Sequence, residues 1–209
     1  MELNASCPRP LADVAWLLEK RFFKPVTYED IPYLYSPDLI CDETSRTLPR
    51  CRKIFVEYPL DASLQAIIDK ALISHGKSGS PGVFTCRKEA EYHHIVPLAF
   101  LNAKGNIEEW HSFLETVISI PPQIRSGLEV LEEITRALSN LRTENIALGT
   151  IPTNAFIQHK SAAQKLEGPI GSLLMNLFRQ MGKRLSWQFL NIPGKTEFIF
   201  NIHRIPEQP

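Results

Sequence analysis

Apolar positions recur at helical spacing near the start of the chain: Leu11, Val14, Ala15, Leu17, Leu18 and Phe22 predict a helix over 9–22. Residues 24–51 are rich in Pro, Tyr and Asp and predict irregular structure. The run from Lys53 to Tyr58 reads as a strand stopped by Pro59. A second helix opens at Asp61, a candidate N-cap, with Leu64, Ile67, Ile68, Ala71 and Leu72 on its apolar face. The Gly- and Ser-rich stretch 75–82 predicts a flexible link, and a domain boundary is placed at residue 80.

Beyond that boundary, 88–96 predicts a short strand running into Pro97. Residues 107–119 predict a helix, with Ile107, Trp110, Leu114, Val117 and Ile118 on one face, broken by Pro121-Pro122. Leu128, Leu131, Ile134 and Leu138 predict another helix over 123–140. Ile146-Ala147-Leu148 reads as a strand, and Pro152 starts a helix running to about Leu166. Leu174, Leu177, Phe178, Met181 and Leu185 predict an amphipathic helix over 173–189, and 196–202 a final strand. No internal repeat and no low-complexity tract stands out. The fold class expected is α+β.

Composition narrows the picture in three ways. The chain of 209 residues is 44% hydrophobic and 22% charged, enough for a real core. It carries no apolar run of the roughly 18 residues a membrane helix needs. Its first residues lack the basic and apolar regions of a signal peptide, so the expectation is a cytoplasmic protein without a membrane partner. Cys7, Cys41, Cys51 and Cys86 show no Cys-x-x-Cys spacing and read as free thiols. Lys plus Arg number 23 and Asp plus Glu 23, so the net charge is zero. A neutral chain binds nucleic acid only by concentrating its cations locally or borrowing them from a partner.

Candidate chemistry lies in two blocks. The first is His93-His94-Ile95-Val96-Pro97. The second holds Asn145 and Asn154, followed by Gln158-His159-Lys160. Imidazoles on a short strand, with polar residues entering a helix, have the residue types to hold one metal ion and activate one water. This arrangement resembles the HNH, or His-Me finger, endonuclease family. It is most similar to the HNH domains of CRISPR RNA-guided DNA-cutting effectors and of modification-dependent restriction enzymes of the GmrSD type.

The resemblance covers 88–101 and 143–166 and implies a ββα-metal core; the residue pattern places a helical insertion at 102–142 within it, a C-terminal helix and strand at 169–204 after it, and flanking helices around it. It implies a metal-dependent hydrolysis of phosphodiester bonds, most simply in DNA, in restriction or antiviral defence. His94 stands at the general base, since a neutral imidazole with a pKa near 6.5 can take a proton from water. His93 stands where the family has an Asp ligand, Asn154 at another ligand position, and Asn145 at the structural brace. His159 is a candidate extra ligand. One divalent ion is implied, Mg by family habit, with Mn, Ni, Co or Zn admitted by a histidine in place of Asp. Lys160 falls where the restriction subgroup often has a lysine. With Lys165, Arg179, Lys183 and Arg184 it forms a candidate phosphate-contacting strip. The alternatives are a non-catalytic nucleic-acid-binding or regulatory subunit that keeps the finger as scaffold, and a nuclease whose protein partner supplies recognition. Regular strand geometry sends adjacent residues to opposite faces, so His93 and His94 share a site only if the strand ends or twists there.

Overall fold

Strand β2 (Val26–Glu29) lies at the heart of the molecule, and all four of its residues are buried. Val26-Thr27-Tyr28-Glu29 does alternate apolar and polar, but four residues between Pro25 and a Pro-, Tyr- and Asp-rich stretch are too short a run to stand out, which is why 26–29 reads as irregular in the sequence. The computed structural model describes residues 1–207, apart from the side chains of 162 and 164. It is a mixed α+β fold.

Before β2 come β1 (Glu2–Ala5) and α1 (Pro10–Phe22). After it come the small hairpin β3 (Leu39–Cys41) and β4 (Thr47–Pro49), then β5 (Ile54–Glu57), α2 (Leu64–Ser78), β6 (Val83–Glu89) and β7 (Tyr92–Leu101). A linker carries β8 (Ile107–Glu109) and a 3-10 turn at Phe113–Glu115. The chain continues through β9 (Val117–Ser126), α3 (Gly127–Leu141), β10 (Asn145–Leu148), α4 (Thr153–Gln158), β11 (Lys160–Pro169), α5 (Ile170–Gln180), β12 (Leu185–Asn191) and β13 (Glu197–Arg204). No helix among the described residues is long and apolar enough to cross a membrane.

The main sheet has the order β10-β13-β12-β2-β7-β6, with β8 pairing to the far end of β7. Alternation along these strands feeds two cores. Val26, Tyr28 and Ile95 pack with α1, α2 and the β1–β5 ribbon. Tyr92, Val96, Trp187, Phe189, Phe198 and Phe200 pack on the other face with α3 and α5. The β9–β11 ribbon caps that side, its Ile118 and Ile120 in the same core.

This order reveals a duplication. The first hundred residues run β-α-β-β-α-β-β, setting aside the small hairpin. Residues 117–204 run through the same series, setting aside α4. In each copy the first and third strands form an antiparallel ribbon, β1–β5 and β9–β11. The second strand pairs in parallel with the last, β2–β7 and β10–β13, and the last two form a hairpin. The buried spacing in the later helices agrees: Leu64, Ile67, Ile68 and Ala71 against Ile170, Leu173, Leu174 and Leu177. The expectation of no internal repeat is therefore corrected.

Several expected boundaries are corrected with it. Residue 80 lies inside the first unit, between α2 and β6, and the real link is 102–116. Helix α2 continues to Ser78 and stops at Gly79, whose φ of 73° is left-handed. Ser63, not Asp61, caps it, accepting from the Ala66 amide at 3.2 Å. The helix expected over 107–119 is β8, a turn and the start of β9, because Trp110, Ser112 and Phe113 are drawn onto Glu29. The segment 102–142 is thus only partly helical. Helix α3 starts at Gly127, fixed by a capping box between Ser126 and Glu129. Residues 160–166 leave the expected helix for β11. The helix expected over 173–189 ends at Gln180, and Gly182 at φ 60° turns the chain into β12.

Candidate functional site

Strand β7 is regular through the histidine pair. His93 opposes Lys88 and His94 opposes Arg87 on β6, with no bulge between them. The two imidazoles therefore face opposite sides of the sheet. His94 stands with Tyr92 and Trp187, at ring-centroid distances of 5.8 and 5.4 Å. Its Nδ1 shares a hydrogen bond with Thr27 Oγ1 at 2.7 Å. Its Nε2 is buried without a partner, beside a cleft of about 340 Å³ lined by Arg87, Glu89, Ser112, Glu115 and Ser172. Burial pushes the imidazole pKa down to about 4, helped by His93 and Arg87, so the ring is neutral at physiological pH. His93 lies toward the α1–α2 side. Burial, then Lys88 and Lys24, lower its pKa, and its Nδ1 also lacks a partner.

The second block of expected residues is elsewhere. Asn145 is exposed at the start of β10, on the opposite edge region of the sheet. From β10 to β7 there are four strand steps, roughly 19 Å at about 4.8 Å each. Asn154 is exposed in the first turn of α4, which packs on α3 and β9. His159 is the residue after α4 and its Nε2 is buried without a partner. Lys160 and Lys165 are exposed on β11, and Lys165 pairs with Glu167 at 2.5 Å. His93, Asn154 and His159 are therefore not brought together and do not fit one metal ion. No group of three or more His, Cys, Asp or Glu side chains among the described residues is placed to hold one either.

What the fold does bring together is cationic. Lys24, Arg179, Lys183 and Arg184 surround a pocket of about 370 Å³, with Pro25, Met175 and Ile205 among its apolar walls. Tyr92 is a further wall. Its hydroxyl donates to the Leu185 carbonyl at 3.2 Å, and burial, then Glu91, push its pKa up to about 12. Three of these cations come from the end of α5 and the turn into β12, and the fourth from the turn between α1 and β2. None of the four is in an ion pair among the described residues, and Glu91 is the one acid on the lining. Arg184 also donates to the Phe23 carbonyl, which ties the two turns together. The sequence marks Arg179, Lys183 and Arg184 by density of charge. Lys24 has no such signal, because it joins them only through the pairing of β2 with β7 and β12.

A second group missed in the sequence joins the two units. Glu29 is buried and accepts from Trp110 Nε1 at 2.6 Å, Ser112 Oγ at 2.6 Å and the Phe113 amide at 2.9 Å. Burial raises its pKa to about 7 against the pull of those donors. Asp30 pairs with Arg9 at 2.6 Å and accepts from the hydroxyls of Tyr28 and Tyr33. These contacts are structural: Glu29 anchors the linker, and Asp30 also accepts from the Asn191 amide of β12 at 3.3 Å. In comparisons with known proteins, no family model, no curated protein and no solved structure matches this chain.

Proposed function

We propose that this chain is a non-catalytic binding module that takes a phosphate-bearing ligand, nucleic acid foremost, in the pocket of Lys24, Arg179, Lys183 and Arg184. The observation that carries this reading is the gathering of four cations, from two distant parts of a chain of zero net charge, around one concave apolar floor. Such a pocket concentrates positive potential where lining walls exclude water, and Arg and Lys donors suit phosphate oxygens. The test is fluorescence anisotropy with labelled single- and double-stranded oligonucleotides across a salt series. Binding should weaken with salt and fall at least tenfold in R179E/K183E, as expected when phosphate contacts are removed. Absence of binding at low salt, or binding unchanged in R179E/K183E, rejects the reading.

One observation favours a second reading, the metal-dependent HNH endonuclease. His94 is a neutral imidazole held through Nδ1, with an unpartnered Nε2 beside a cleft, which suits a general base. This reading requires Asn145 and Asn154 to reach β7 across three intervening strands, forming the ββα-metal finger with its single divalent ion, or a protein partner to complete the site. Incubation with supercoiled plasmid and Mg, Mn, Ni or EDTA decides it: cutting that needs metal and disappears in His94→Ala would replace the binding-module reading.

A further inference from the structure

The two units do not meet by equal surfaces. In the order β10-β13-β12-β2-β7-β6, the next-to-last strand of the second unit, β12, meets the second strand of the first unit, β2. Strands β12 and β2 run parallel there, through Gln188 with Tyr28 and Phe189 with Glu29. The second unit's strands run opposite to their counterparts, and its helices cover the opposite face. One unit is thus carried onto the other by a half-turn about an axis across the strands plus a shift along it. Such a head-to-tail operation does not close, so it can repeat.

We propose that the chain self-associates by repeating this seam, the β6 edge of one copy pairing in parallel with the β10 edge of the next. Each outer edge is of the kind that is already paired inside the chain. Strand β6 matches β12 through the registers of the two hairpins: Ile95 takes the place of Phe200, so Cys86 takes the place of Phe189, whose carbonyl accepts from the Asp30 amide across the seam. Strand β10 matches β2 through a shared device. Glu19 caps the Val26 amide at 2.9 Å, and Ser139 caps the Ile146 amide at 2.9 Å. The β2 edge pairs two residues beyond its cap, at Tyr28, so the matching position on β10 is Leu148.

The His93 amide points to β2, donating to Pro25 O at 3.0 Å, so the backbone of His94 points to β6 and pairs with Arg87. The backbone groups of Cys86 and Lys88 therefore face outward. The Gly149 amide donates inward to Phe200 O at 2.9 Å, so those of Leu148 face outward as well. Cys86 would oppose Gly149, which has no side chain to meet it. This proposal rests on the fold and is independent of the proposed function.

The test is sedimentation velocity on the full chain up to millimolar concentration, with Cys86→Pro, Lys88→Pro and Leu148→Pro beside wild type. Proline at an outward-facing amide removes an edge donor and spares the pairing within the sheet. Thermal melting confirms that each variant is folded, and Cys86→Pro and Lys88→Pro serve as two independent cuts of the same edge. Wild type should form a concentration-dependent series of oligomers that does not stop at a dimer. Each folded proline variant alone should stay monomeric. An equal mixture of Cys86→Pro and Leu148→Pro should give dimers and nothing larger, because each retains one working edge. A wild type that stays monomeric to millimolar concentration, a closed dimer, or a series unchanged in folded β6 variants overturns the proposal.

Discussion

Strands β2 and β10 hold the same place in the two units, yet β2 is buried throughout and β10 alternates, with Asn145 and Ala147 exposed and Ile146 buried. Strand β2 continues into Glu29 and Asp30, two buried carboxylates saturated with donors. The matching positions after Leu148 are Gly149 and Thr150, both exposed. The contrast teaches that the carboxylates of β2 answer to its joined position: Glu29 holds the linker, and Asp30 ties its own unit to the Asn191 amide of β12. A strand at a free edge needs no such network, and a strand joined on both sides must satisfy every buried polar group it brings.

The largest expected effect breaks that contrast directly. Asp30→Ala would take the carboxylate from half-buried Arg9 and strand the buried hydroxyls of Tyr28 and Tyr33, at a cost of about 3–5 kcal/mol. Thr150→Ala, at the matching position on β10, should shift stability by no more than about 0.5 kcal/mol. Urea melts of both variants measure the difference; equal losses would mean the seam is not where the polar groups matter.

The pH dependence comes next. His75 and His94 are buried and neutral, with pKa values pushed from 6.5 down to about 4. Their contribution is complete above pH 6.5 and is lost as pH falls toward 4, up to about 3 kcal/mol each. Glu29 has the opposite sign, since its pKa rises from 4.5 to about 7 and its contribution is lost as pH rises through that window. Two histidines outweigh one glutamate, so stability should fall from pH 6.5 to 4. Glu29→Gln, whose amide can still accept from Trp110 and Phe113 and donate to Ser112, should be the more stable above pH 7 and fall more steeply in acid. A flat profile for the wild type, or an unchanged one for Glu29→Gln, would contradict these assignments.

The smallest effect separates the leading helices. Helix α3 has a reciprocal Ser126–Glu129 capping box, whereas α1 has no side-chain cap at Arg9. Ser126→Ala should cost about 1 kcal/mol, read as a lowered urea midpoint with unchanged slope.

Much of the local structure is legible in the sequence. Helices α1 and α2, strand β5, strand β10 and strand β13 follow from apolar periodicity, because each exposes one face to water. What stays hidden depends on distant partners. Strand β2 is only four residues long, and its polar Thr27 and Glu29 are buried by partners far along the chain, His94 and Trp110–Phe113. Trp110 looks like a helix face until Glu29 claims its indole. The duplication shares burial spacing rather than residue identity, as Leu64–Ala71 and Ile170–Leu177 show, so it emerges only from the strand pairing. The histidine pair and the two asparagines match a motif in spacing, but spacing along the chain says nothing of sheet order. The sheet puts three strands between them, while it assembles the pocket of Lys24 with Arg179, Lys183 and Arg184 from residues that sequence distance keeps apart.

The separation of the two motif blocks is the claim on which the functional reading turns. Pulsed electron–electron resonance between nitroxides at the exposed positions Lys88→Cys and Asn145→Cys, in a background with the four native cysteines replaced by serine and with the labelled chain diluted into excess unlabelled chain so that only distances within one chain are read, measures it most directly. Strands β6 and β10 are five steps apart, so a single distance of at least about 24 Å is expected. A population near about 15 Å, the span of about three strand steps, would mean that β10 reaches β7, and the finger would be assembled after all.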